Sequence, residues 1–240
     1  MQTDRAAITV GRAIPRRAEM TTITAMQDGP QHIVAAGYDE LADRYPAWAA
    51  LIRGDPRDRM LAEFAGRLPE RARVLDLGCG SGLPSTRELA RRFEVVGVDI
   101  SAVQIGAARE NVPRATFILG DIGKVELPDA SFEGVSALYA ISHIPREEHA
   151  RLFARIARWL VPGGLFLATL GAKDDPRWVG DWLGVRMFFS SYDAATNRAL
   201  LKDAGFALDL DEVVETMEPD GPVRFLWVIA RRRADMADSA

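Results

Sequence analysis

The sequence has 240 residues, of which 48% are hydrophobic and 27% charged, enough apolar material for one sizeable core and too balanced a composition for a disordered chain. A formal net charge of −4 gives no electrostatic footprint for long nucleic acid, so none is expected as a partner. The lone cysteine, Cys79, rules out an internal disulfide framework and fits the cytoplasm; no apolar run approaches the ~20 residues that cross a bilayer, so no membrane is expected either.

In chain order, residues 1–28 read as a poorly ordered tail without the apolar stretch of a secretory signal, and Met20 serves as a start as well as Met1. An apolar stripe (Ile33, Ala36, Tyr38, Leu41, Tyr45, Trp48) predicts a helix from Gln31 to about Leu51, broken at Pro46. Pro56 opens a helix to about Leu68, completing a helical cap over 29–70. Strands are then expected at Val74–Leu77, Val95–Asp99, Ala115–Leu119, Ser131–Leu138 and Leu165–Leu170. Helices fall between them at Pro84–Phe93, after the cap residue Ser101, and from Pro145 to Leu160. This alternation predicts an α/β fold with a doubly wound, mostly parallel sheet. After a helix at Asp193–Ala204, strands at Phe206–Val214 and Val223–Ala230 flank the turn Glu218-Pro219-Asp220-Gly221-Pro222 and should finish a seven-stranded sheet as an antiparallel hairpin. One domain over 29–233 results, with an insertion at 172–192 and a short tail at 234–240.

A glycine loop is a weak signal alone, but here it follows an apolar strand and precedes a helix. Glycines 78, 80 and 82 allow close backbone approach to a ligand, and Asp99 ends the next strand, where a carboxylate can accept from both hydroxyls of a ribose. The spacing is G-x-G-x-G; a dinucleotide fingerprint needs its third glycine at 83, which is Leu83.

Val74-Leu75-Asp76-Leu77-Gly78-Cys79-Gly80-Ser81-Gly82 resembles motif I of the class I S-adenosylmethionine-dependent methyltransferases. Val96-Gly97-Val98-Asp99-Ile100-Ser101, Leu119-Gly120-Asp121-Ile122 and Leu160-Val161-Pro162-Gly163-Gly164 are similar to that family's later motifs, in order, so that the resemblance runs over about 35–231. It implies a Rossmann-like methyltransferase fold, S-adenosyl-L-methionine as cofactor and a small-molecule methyl acceptor. It also implies that Asp76 and the 78–80 loop, with Cys79 inside it, face the methionyl part, Asp99 the ribose, and Asp121 the adenine amino group between Ile100 and Ile122. Leu138 and Tyr139 would lie near the sulfonium, and Tyr38 on a helix closing over the cofactor.

Methyl transfer needs alignment more than a signature residue. His143, after the fourth strand, is the candidate base for an oxygen acceptor, with an ordinary pKa near 6.5. His32 and His149 read as solvated, Cys79 as a small packing residue, and no cluster has metal-ligand spacing, so no metal is expected. Trp178 and Trp182, four apart on one helical face, join Phe188 and Tyr192 as candidate acceptor contacts. A cofactor-binding protein of this fold that does not methylate, or a regulatory one, is the alternative; a nicotinamide-dependent oxidoreductase stands further off. Monomer and homodimer are both open, and the Ala- and Arg-rich composition suggests a bacterial source.

Overall fold

The computed structural model describes residues 29–234; the expectations for the tails before 29 and after 234, and for the choice between Met1 and Met20, lie outside the described residues. Three helices lead in: α1 (Pro30–Leu41), α2 (Tyr45–Ala49) and α3 (Arg57–Arg67). The alternating part follows as β1 (Arg73–Leu77), α4 (Ser85–Leu89), β2 (Glu94–Asp99), α5 (Ala102–Asn111), β3 (Thr116–Leu119), β4 (Phe132–Ala137), α6 (His149–Trp159) and β5 (Leu160–Gly171). The chain ends with β6 (Asp175–Trp182), β7 (Val185–Ser191), α7 (Ala194–Asp203), β8 (Phe206–Glu218) and β9 (Gly221–Arg232).

Seven strands form one sheet in the order β3-β2-β1-β4-β5-β9-β8. The first five pair in parallel, and β9 enters antiparallel between β5 and β8. The expected architecture is therefore observed. Strand β1 is buried at Val74, Leu75, Asp76 and Leu77, which is why its sequence is a short apolar run rather than an alternating one. Its pleat still sorts the layers. Leu75 and Leu77 pack with Leu152, Phe153 and Ile156 of α6, whereas Val74 packs with Phe64 of α3, Leu89 of α4 and Ile105 of α5. From β1 the chain winds outward through β2 and β3, then returns to start β4 on the other side of β1. The carboxyl ends of β1 and β4 thus flank a crevice where the winding reverses.

Two expectations are corrected. The N-terminal break falls at residues 42–44, and Pro46 instead lies in the first turn of α2, where a missing N–H has no helical partner to lose. The 172–192 segment is not helical: β6 and β7 pair as an antiparallel two-stranded sheet of their own. Its two-residue connection, Leu183-Gly184, has φ of +55° and +81°, the left-handed pair that matches the twist of a tight hairpin. Trp178 and Trp182 still share a face, because a strand's period of two also brings residues four apart to one side.

Helix α1 packs on this hairpin through Ile33, Val34, Leu41, Val185, Met187 and Phe188. Gly37 makes that approach close; a Cβ there would sit 2.7 Å from the Met187 methyl carbon. The same helix is fastened to α5. Ser101 caps α5 by accepting from the Gln104 amide at 3.1 Å, and its hydroxyl donates to Asp39 of α1 at 2.5 Å. Ser101→Ala removes cap and fastening together. The expected outcome is a loss of about 1–2 kcal/mol, read as a lower urea midpoint at unchanged m-value.

Candidate active site

Eleven side chains and backbone groups singled out from the sequence (Tyr38, Asp76, Gly78, Cys79, Gly80, Asp99, Ile100, Asp121, Ile122, Leu138 and Tyr139) line one cavity of about 410 Å³ at the carboxyl edge of β1, β2 and β4. Gly78 stands where a side chain cannot: its φ is +71°, and a Cβ would meet that of Ala140 at 2.4 Å. Gly80 donates its amide to Asp99 Oδ2 at 2.9 Å, and Ser101 donates to Asp99 Oδ1 at 2.9 Å. Burial pushes the Asp99 carboxyl upward in pKa while these amides pull it down; burial prevails. Each oxygen keeps a lone pair for a further donor.

Asp76 is buried, and burial raises its pKa. Its oxygens accept from Thr86 Oγ1 at 2.6 Å and Ser136 Oγ at 2.8 Å, which tie β1 to α4 and to β4. Asp121 accepts from the Gly123 amide through Oδ1 at 2.8 Å. Its Oδ2 is buried with no hydrogen-bond donor, although Lys124 lies within ion-pair distance at 3.5 Å. An acceptor without a donor, next to Ile122 and across the cavity's lining from Ile100, fits a flat heterocycle bearing an amino group. Burial and the neighbouring Asp76 and Asp99 drive the Cys79 thiol far up in pKa, consistent with a packing role.

A second cavity of about 400 Å³ adjoins the first, and Tyr38, Tyr45, Arg57, Tyr139 and His143 line both. Trp178 and Trp182 line the second. Phe188 and Tyr192 do not. Phe189, directly opposite Trp178 in the β6–β7 register, faces the second cavity, while Phe188, one residue off, is buried in the cluster with α1. Tyr192 packs against His149 and beneath the Arg146 guanidinium. His149, expected in solvent, is buried, with its Nε2 at 3.0 Å from the Ile144 carbonyl oxygen.

His143 sits at the seam of the two cavities, with both ring nitrogens committed. Nδ1 lies 2.9 Å from the Phe188 carbonyl oxygen, which can only accept, so Nδ1 carries the proton. Nε2 is left to accept from the Tyr38 hydroxyl at 2.8 Å. Burial lowers the pKa to about 4, with the Phe188 carbonyl acting against it. A neutral imidazole whose free lone pair is already taken is not poised to remove a proton near neutrality, which argues against the expected base role. His143 instead holds Tyr38, whose own hydroxyl is pushed up in pKa by burial and then by the neighbouring Tyr45 and Asp99.

Arg57 escaped the sequence reading. It lines both cavities from the first turn of α3, with its guanidinium 3.3 Å from Asp55 and 4.9 Å from the centre of the Tyr139 ring. Its buried Nε lacks a partner. The one legible signal was the Asp55-Pro56-Arg57 helix start. Tyr139 has φ of +59°, uncommon for a bulky side chain, and is held there by Asp55, which accepts its hydroxyl at 2.9 Å, and by edge-to-face contact with Phe225 at 5.1 Å.

Residues 74–164 match the family model of a methyltransferase domain. The chain is 41% identical over 116 residues to a trans-aconitate 2-methyltransferase of Variovorax paradoxus, covering 46% of this chain and 44% of that one. It is 37% identical over 115 residues to the 27-O-demethylrifamycin SV methyltransferase of Amycolatopsis mediterranei, covering 44% and 42%. It thus spans less than half the length of these two curated relatives. The fold is similar to that of the Burkholderia thailandensis 1,6-didemethyltoxoflavin-N1-methyltransferase, solved with its acceptor and S-adenosylhomocysteine bound: TM-score 0.62, 21% identity, 93% of each chain covered. Residues 74–164 thus resemble a methyltransferase domain, and the chain shares its fold with a methyltransferase solved with S-adenosylhomocysteine bound.

The His143 geometry has a measurable consequence. Its folded pKa lies below the unfolded value near 6.5, so the unfolded chain takes up a proton that the native one refuses. Stability from this group is full above about pH 6.5 and is lost as pH falls toward 4. Across that window the wild type should lose roughly 3 kcal/mol relative to His143→Asn, measured by urea unfolding at successive pH values.

Proposed function

We propose that this chain transfers the methyl group of S-adenosylmethionine to an oxygen of a small organic acceptor seated in the second cavity. The observation that carries this reading is the junction itself: two cavities of similar size, one lined by the glycine loop and three carboxylates and the other rich in aromatic rings, meet at Tyr38, Tyr45, Arg57, Tyr139 and His143.

In this reading Asp99 accepts from the ribose hydroxyls and Asp121 Oδ2 from the adenine amino group. Ile100 and Ile122 flank the ring, and the 78–80 backbone meets the methionyl part. Arg57, with its unpartnered Nε at the seam, holds the methionyl carboxylate. Bound S-adenosylmethionine supplies an electrophilic methyl carbon on a sulfonium that becomes a neutral thioether when the methyl leaves. The chain's part is to align the acceptor and exclude water, and alignment is worth up to ~7–11 kcal/mol of barrier. Tyr38, fixed by His143, is a positioning residue at the seam.

With no group at the seam free to take a proton near neutrality, the acceptor oxygen arrives ionised, as an acidic hydroxyl or a carboxylate. The Variovorax relative is named for trans-aconitate, a tricarboxylate. Aromatic walls with few uncommitted cations support a different acceptor here, one with an apolar body.

Calorimetry with S-adenosylhomocysteine should give 1:1 binding that Asp99→Ala weakens at least tenfold, and absence of heat with the wild type would sink the reading. A labelled-cofactor screen of small phenols and carboxylates should detect a product heavier by about fourteen daltons, the mass of the added CH₂. Trp182→Ala is expected to raise the acceptor KM several-fold while leaving the cofactor Kd in place; equal effects on both would mean that Trp182 only packs.

A further inference from the structure

The walls of the second cavity specify more than apolarity. Tyr45, Trp48, Trp182 and Phe189 form a continuous series of touching rings. Centroids lie 5.8 Å apart for Tyr45–Trp48, 5.3 Å for Trp48–Trp182 and 5.4 Å for Trp182–Phe189. The last two pairs meet at 78° and 86°, so adjoining walls stand nearly at right angles and make a box rather than a stacking slot. Aromatic boxes attract organic cations, because each ring carries negative charge on its face.

The charges on the same lining agree. Arg57 pairs with Asp55 at 3.3 Å, its remaining Nε being assigned above to the first cavity, and Arg224 pairs with Glu215 at 2.9 Å. Glu218 and Asp175 line the cavity with no side-chain hydrogen bond or ion pair among the described residues, and Lys173 is the one cation there without a partner. Two free carboxylates thus face one free ammonium. Glu218 is half-buried, and its carboxyl is pushed up in pKa by that burial and by Asp220. It also stands near enough to Tyr45 for its charge to be felt by that phenol. A partly desolvated carboxylate beside an aromatic box is stabilised by a cation, and among the described residues none is paired with Glu218. A neutral aromatic body would touch the same rings without using Glu218 or Asp175, and an anion with no cationic group of its own would be repelled by both.

We propose that the methyl acceptor carries a protonated or quaternary amine, seated among Tyr45, Trp48, Trp182 and Phe189 with Glu218 as its counter-ion. The ammonium is a recognition handle, and the reacting oxygen lies elsewhere on the molecule, toward Tyr38 and Tyr139. The proposal rests on the methyl-transfer reading for what the cavity's occupant undergoes, but not for the cation preference itself.

The test uses choline, its uncharged carbon isostere 3,3-dimethylbutan-1-ol, and benzoate. Each is titrated into the full chain with and without S-adenosylhomocysteine and followed by tryptophan fluorescence, to which Trp48, Trp178 and Trp182 at the cavity report. Choline should bind at least tenfold more tightly than the isostere and more tightly than benzoate. Glu218→Gln should remove at least threefold of that preference, and Trp182→Leu should weaken choline while leaving S-adenosylhomocysteine binding intact. Equal binding of choline and the isostere, tighter binding of benzoate, an unchanged ratio in Glu218→Gln, or no response to choline would each overturn the proposal. If S-adenosylhomocysteine fails to bind while the choline preference stands, the methyl-transfer reading fails alone. If S-adenosylhomocysteine binds and the preference is absent, the cation proposal fails alone.

Discussion

Much of the molecule depends on one buried carboxylate. Asp99 ends β2 and accepts the Gly80 amide from the loop after β1 and the Ser101 amide at the start of α5. The glycine loop and the junction of β2 with α5, 19 residues on, are drawn to one group at the point where the sheet reverses its winding. Desolvating a carboxylate is costly, and two backbone donors offset that cost only while the glycine loop keeps its left-handed turns at residues 78 and 80. Loop conformation, helix start and first cavity therefore stand or fall together. Asp76 repeats the device one strand over, spending its oxygens on Thr86 and Ser136 so that β1, α4 and β4 hold a fixed spacing beneath the cavity floor.

The second constraint runs across the mouth. The Phe188 carbonyl fixes the tautomer of His143, and His143 in turn fixes the Tyr38 hydroxyl. This joins the inserted hairpin to α1, while Asp39 joins α1 to Ser101 and hence to the Asp99 cluster. The element that covers the first cavity and the element that walls the second are thus linked through side chains whose hydrogen-bonding capacity is used internally. Chemistry at such a seam relies on alignment. The left-handed backbone of Tyr139, kept in place by Asp55, Arg57 and Phe225, belongs to the same economy of position: local strain is tolerated because packing on several sides fixes it.

What was legible in the sequence was local or strictly periodic. The apolar runs at 74–77 and 95–99, the cap Ser101, the turn at 218–222 and the glycine spacing each carry their cause within a few residues, and the structure has strands, cap, hairpin and crevice there. The hairpin at 175–191 was not legible, because a Trp-x-x-x-Trp pair suits a helix face and a strand face equally. Its turn uses Leu183-Gly184, without the Asn or Asp that usually announces one. From that error followed the choice of Phe188 over Phe189, since one residue of register exchanges the two faces of a strand.

The sequence by itself determined the doubly wound sheet and the glycine loop with Asp99 at its carboxyl edge, because strand burial, helix caps and glycine turns are short-range properties that survive translation into three dimensions. The other first-cavity residues came from the family resemblance. Only the tertiary structure decided what His143 does, that Arg57 reaches both cavities, and that aromatic residues from α2 and from the hairpin form one box. Those properties depend on which lone pairs are already taken and which rings meet across a distance of more than a hundred residues, and no local pattern encodes either.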